Sequence, residues 1–151
     1  MPEIVIADTT CFIILSNIKE LDLLQKVYGN IITTPEIARE FGELLPNWVS
    51  IKSPEDHQKQ QILELQVDKG EASAIALALE SPETIIILDD LQARRLAEQL
   101  GISITGTLGV IVKAKLNGII PSIKPILTKI KQTDFRISAA LEILALKNAE
   151  E

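Results

Sequence analysis

The sequence predicts a single α/β domain, with three α/β/α layers built on a short, mostly parallel five-stranded sheet. Short apolar runs alternate with stretches of helical periodicity along the 151 residues. Parallel strands need crossover helices, so this alternation implies a sheet covered on both faces. The chain also shows no internal repeat, low-complexity tract or linker, and its length suits one core. The domain is expected over 1–148, with 149–151 as a frayed tail.

Ile4 to Ala7 is an apolar run closed by Asp8-Thr9-Thr10, and it reads as a first buried strand. Residues 12–28 then place Ile14, Leu15, Ile18, Leu21, Leu24 and Val27 mostly three or four apart, with a break near Asn17 and Lys19. Gly29-Asn30 marks a turn into a second strand, Ile31-Ile32-Thr33. Thr34-Pro35 opens the next helix with a hydroxyl at the N-cap and proline at the first helical position. That helix is expected to run to about Leu45, before Pro46, and Trp48 to Ile51 to form a third strand. Ser53-Pro54 repeats the cap-plus-proline signature ahead of a polar helix reaching Val67. Asp68-Lys69-Gly70 reads as a turn, and Glu71 starts a helix dense in alanine that ends at Ser81-Pro82. Thr84 to Leu88 is the most apolar strand and closes on Asp89-Asp90. A helix follows from Leu91 to Leu100, terminated by Gly101. Ile102 to Ile104 is the last strand; Thr105-Gly106-Thr107 turns into a helix from Leu108 to Leu116. Pro121 and Ser138 bracket the last two helices.

Composition narrows the function. Aromatic residues are 3% of the chain, so Ile, Leu, Val and Ala must fill the core. The one cysteine, Cys11, has no intramolecular partner and lies in an apolar stretch, where it reads as a small buried hydrophobe. With no basic leader and no apolar run near the roughly 18 residues that span a bilayer, the expected location is the cytoplasm, with no membrane contact. A net charge of −6 argues against binding nucleic acid through a broad basic surface. It leaves room for a nuclease whose carboxylates are loaded with divalent cations, which invert the local sign.

Ligands of parallel sheets gather at the carboxyl ends of strands. Asp8, Asp89 and Asp90 all follow strands directly, and Glu71 stands in the first turn of a helix. Glu36 and Glu40 share one helical face, so both are candidates for the same pocket. A carboxylate set without His or Cys suits magnesium or manganese, hard cations that prefer oxygen, and does not suit zinc. The single His57 sits in a polar helix and reads as a surface residue. Each acid has a plain structural reading too: a carboxylate after a strand is often a helix N-cap, and one in a first turn favours the helix dipole. Spacing alone leaves both readings open.

The ordered motifs resemble the PIN domain family, a metal-dependent ribonuclease fold found in many toxins. The opening Ile4-Val5-Ile6-Ala7-Asp8-Thr9-Thr10 is similar to the first motif of that family. Thr34 to Phe41 is similar to the second, whose final acid matches Glu40 rather than Glu36. Gly70 to Ala78 is similar to the third, and Asp89 to Ala97 followed by Gly101-Ile102 to the fourth. Gly106-Thr107-Leu108-Gly109-Val110 further resembles a PIN-like subgroup associated with nucleic-acid binding, the DUF3368 type. The resemblance implies metal-binding and catalytic roles for Asp8, Glu40, Glu71 and either Asp89 or Asp90. It implies phosphate or water contacts near Thr9, Arg94, Thr105 and Thr107, with Arg95 and Lys113 as further phosphate candidates. The activity implied is hydrolysis of single-stranded RNA with Mg2+ or Mn2+, in a toxin that pairs with a small antitoxin and forms a homodimer. A catalytically idle module that binds nucleic acid is the alternative. A phospho-acceptor receiver is disfavoured, because its acidic pair ends the first strand and here the doublet comes late.

Overall fold

A computed structural model describes residues 4–151 of the chain; residues 1–3 of the predicted domain lie outside the described residues. Five parallel strands form one sheet: β1 (Ile4–Ala7), β2 (Ile31–Thr33), β3 (Val49–Ile51), β4 (Thr84–Ile87) and β5 (Ser103–Thr105). Their spatial order is β3-β2-β1-β4-β5. The chain therefore builds outward from β1 in one direction and returns to add β4 and β5 on the other side. The reversal falls between β1 and β4, which pair Ala7 with Ile87, and a crevice opens at the carboxyl ends of such a pair. The "mostly parallel" expectation resolves to an all-parallel sheet.

Two helices follow β1: α1 (Thr9–Asn17) and α2 (Asp22–Tyr28), divided where Lys19 takes a positive φ of 59°. The helix after β2, α3 (Pro35–Phe41), is capped by the Thr34 side chain as expected. It ends earlier than Leu45, because Gly42 adopts the left-handed conformation and turns the chain. The following helix, α4 (His57–Leu63), also departs from expectation. Its cap is Asp56 rather than Ser53, since Glu80 accepts the backbone N–H groups of Glu55 and Asp56 and holds the entry segment in place.

The remaining helices are α5 (Lys69–Leu79), α6 (Leu91–Gln99), α7 (Thr107–Leu116), α8 (Lys124–Lys131) and α9 (Ala139–Asn148). Small residues let α5 sink into the core, where Gly70 to Ala78 are all buried. Both faces of the sheet pack into one core of Ile, Leu, Val and Ala, with Phe12 against Phe41 at 5.6 Å between ring centres. The final residues, expected to fray, are held instead. Ala149 is buried, and the Glu151 carboxylate accepts the Ile123 N–H at 2.8 Å. Among the described residues, no helix is long and apolar enough to cross a membrane.

Candidate functional site

Parallel registry brings the strand ends to one edge. The Asp8 N–H donates to Ile87 O (3.2 Å), Leu88 N–H to Thr105 O (2.7 Å), and Thr33 Oγ1 to Ala7 O (3.0 Å). Asp8 leaves β1 at this edge and enters α1 almost wholly buried, at 4% exposure. Its Oδ1 and the neighbouring Thr9 Oγ1 are buried without a hydrogen-bond partner among the described residues. A buried oxygen without a protein partner is costly unless another group satisfies it, which makes Asp8 a natural ligand position.

Glu71 approaches from α5. Asp68 caps that helix, accepting the Glu71 N–H at 2.8 Å, while Glu71 Oε1 accepts the Asp68 N–H at 3.2 Å. This reciprocal capping box orients Glu71 and adds Asp68 to the acidic group. The expectation of a plain turn at Asp68-Lys69-Gly70 missed it. The signal was present in the sequence, an Asp three residues before a Glu at a helix start.

Glu40 comes from the end of α3, which is clamped to α5 near its start. Ser73 Oγ donates its only hydrogen to Gly70 O (2.7 Å), so Thr34 Oγ1 is the donor across the 2.6 Å contact with Ser73. The Glu40 carboxylate lies directly over Gly70, where a Cβ would stand 1.9 Å from its Oε1. Only glycine admits that approach. Glu36, on the same face of α3, goes elsewhere: it accepts the Gln60 side-chain amide.

The doublet divides. Asp89 has both oxygens engaged by Thr107, from its N–H at 2.9 Å and its hydroxyl at 2.6 Å, and so anchors the start of α7. Thr107 is buried and its hydroxyl hydrogen is committed to that bond. Asp90 caps α6 through the Ala93 N–H (3.0 Å), remains exposed, and is near enough to raise the pKa of Glu71. Arg94 donates to Leu88 O (2.7 Å) beside Gly106, while Thr105 lies further along the same edge. Lys113 sits over the Tyr28 ring, 5.0 Å from its centre.

The electrostatics fit a site built for positive charge. Burial, opposed by a hydrogen bond from the Thr9 N–H and reinforced by Glu71, Asp68 and Glu40, pushes Asp8 up to about 7. Burial likewise pushes Glu71 up to about 7, with Asp68 and Asp90 adding repulsion. Glu40 is raised by burial and by Asp68. An all-oxygen donor set with an orphaned buried carboxylate oxygen suits a hard divalent cation. As they stand, no three His, Cys, Asp or Glu side chains among the described residues have the spacing of a metal-ligand group.

A family model described as DUF3368: PIN domain matches residues 4–151, nearly the whole chain. The chain belongs to the PIN domain family. PIN domains have a nuclease-type fold and generally use divalent metal ions, so nucleic acid is the substrate class that membership suggests. No curated protein and no solved structure matches this PIN domain.

Proposed function

We propose that this PIN domain is an endoribonuclease that hydrolyses single-stranded RNA with the help of Mg2+ or Mn2+. The observation that carries the reading is Asp8: a buried carboxylate with an orphaned oxygen, ringed by other acids that raise its pKa. Clustered like charges destabilise a fold, and a divalent cation relieves them. Asp8, Glu40, Glu71 and Asp90 would hold the metal, while Asp89 acts through Thr107 by fixing the start of α7. When bound, a divalent ion supplies positive charge at the scissile phosphate and acidifies the attacking water. The chain's own groups do the rest. Glu71, held by the capping box, keeps an acceptor oxygen beside Asp8, and Thr9 offers a hydroxyl at the same edge. Arg94, fixed on Leu88 O, sets a guanidinium where a phosphate would approach.

The family resemblance extends this to the toxin of a toxin–antitoxin pair, working as a homodimer and silenced by a small antitoxin protein. The acidic balance of the chain, net charge −6, keeps a second reading in play, a PIN-fold module without catalysis that binds nucleic acid or regulates.

Cleavage of labelled single-stranded RNA by the purified protein, with Mg2+ or Mn2+ and with EDTA, separates the two. Metal-dependent cleavage lost in both Asp8→Asn and Glu71→Gln supports the nuclease. Metal binding by calorimetry without cleavage of any RNA offered supports the silent module.

A further inference from the structure

A groove of about 840 Å³ begins at Asp89 and Asp90 and runs between the β5–α7 turn and α9. Its floor and walls are largely apolar, supplied by Ile104, Leu108, Val112, Phe135 and Leu144. Arg94 and Arg136 line it as well. Among the described residues, neither arginine takes part in an ion pair. In a chain of net charge −6, two guanidinium groups without carboxylate partners share an apolar cleft that opens on an acidic site. The core does not need this arrangement, since Leu144 is 50% exposed and Leu91, which also lines the groove, 67%.

We propose that this groove seats the nucleotide next to the scissile phosphate, with its base against the apolar wall and its phosphate met by Arg94 and Arg136. The inference rests on the ribonuclease reading and adds a substrate-binding surface to it. The volume suits one or two nucleotides, within the usual range for small-ligand clefts. Apolar and aromatic walls accept the face of any base, so the contact is tolerant of sequence. Arginine matches a phosphate in bidentate geometry. A base paired in a duplex cannot turn its face into the cleft, so the groove selects single strands. An apolar peptide would bury the same walls but would bring neither guanidinium group a counter-charge, and for that reason a nucleotide is the favoured occupant.

The test measures binding of a fluorescein-labelled single-stranded oligoribonucleotide by anisotropy, in the Asp8→Asn background with Mn2+ present so that the strand stays intact. Added to that background, Arg136→Ala should weaken binding about fivefold. Leu144→Glu, at an exposed position that tolerates the change, should weaken it about tenfold, because an apolar contact to the base is lost and a carboxylate is set against the phosphate. Lys124→Ala, at an exposed position outside the groove, should leave it unchanged. A duplex of the same sequence should bind more weakly than the single strand. Equal binding by both groove variants, or equal binding of the duplex, overturns the proposal. So does a Leu144→Glu protein that loses self-association in the ultracentrifuge while binding RNA normally, because the groove is then a protein interface. The nuclease reading fails separately. If wild type cleaves RNA but groove variants bind as before, the groove proposal alone falls. If wild type never cleaves yet the variants weaken binding, the groove stands and the ribonuclease reading falls.

Discussion

Replacing Asp8 with Asn removes a charge that the metal-free fold holds at a cost. In the unfolded chain Asp8 ionises near the ordinary carboxylate value of 3.8, whereas in the folded protein burial and neighbouring acids raise it to about 7. The folded state therefore keeps a proton that the unfolded state has released. Stability is lost as pH rises from about 4, and the loss is complete above about 7. At ~1.4 kcal/mol per pH unit, the ionised carboxylate destabilises the fold by at most about 4 kcal/mol. Water entry and side-chain relaxation bring the expected figure to about 2 kcal/mol. For a domain of 151 residues that is a melting shift of ~6 °C. Thermal unfolding in EDTA should show Asp8→Asn melting about 6 °C above wild type at pH 8.5, with the gap less than half as large at pH 4.5. Millimolar Mn2+ should then raise the wild-type midpoint at pH 8.5 and leave the variant's unchanged. A gap equal at both pH values, or a variant less stable at pH 8.5, would refute the argument that Asp8 is a buried charge awaiting a cation.

Three further perturbations follow from the same geometry. Gly70→Ala would place its Cβ where the movable end of Glu40 now lies, and alanine suits a helix better than glycine by roughly 0.5–1 kcal/mol. The protein should melt no lower than wild type yet cleave RNA at least about tenfold more slowly, a loss expected of a displaced catalytic group. Thr107→Val keeps the shape of a buried side chain but removes a hydrogen bond to Asp89, so urea unfolding should show a loss of about 1–2 kcal/mol. The Cys11 thiol is fully buried and pushed well above its usual range by burial and by Asp89. A thiol reagent should thus leave the native protein unlabelled and label it at once in denaturant.

Much of the architecture was legible because strands and helices carry distinct periods. The four apolar residues of β1 and the run before Asp89 identified the two central strands, and Thr34-Pro35 announced α3 correctly. Boundaries failed where a distant contact overrode a local signal. Ser53-Pro54 has the composition of a helix start, but Glu80, held far along the chain, captures the N–H groups that follow and delays α4 to His57. The acids were legible as types in the sequence; their division of labour was not. Glu36 and Glu40 share a helix face, yet only packing against α4 and α5 sends one to Gln60 and the other over Gly70.

The sequence by itself determined that this chain is a parallel α/β domain of the PIN family, with acidic residues at the carboxyl ends of its central strands. That much follows from local patterns: apolar period, caps, and the ordered motifs. Only the tertiary structure decided which members of the doublet and of the helix pairs face one another. Successive residues leaving a strand diverge in direction, so Asp89 turns to Thr107 while Asp90 caps α6 at Ala93, close enough to raise the Glu71 pKa, a choice that no residue spacing encodes. The groove between the β5–α7 turn and α9 belongs to the same class, because its walls come from segments remote in sequence and meet only when the last helix docks. Local chemistry is written along the chain, whereas the juxtaposition of like charges depends on burial that the whole core enforces.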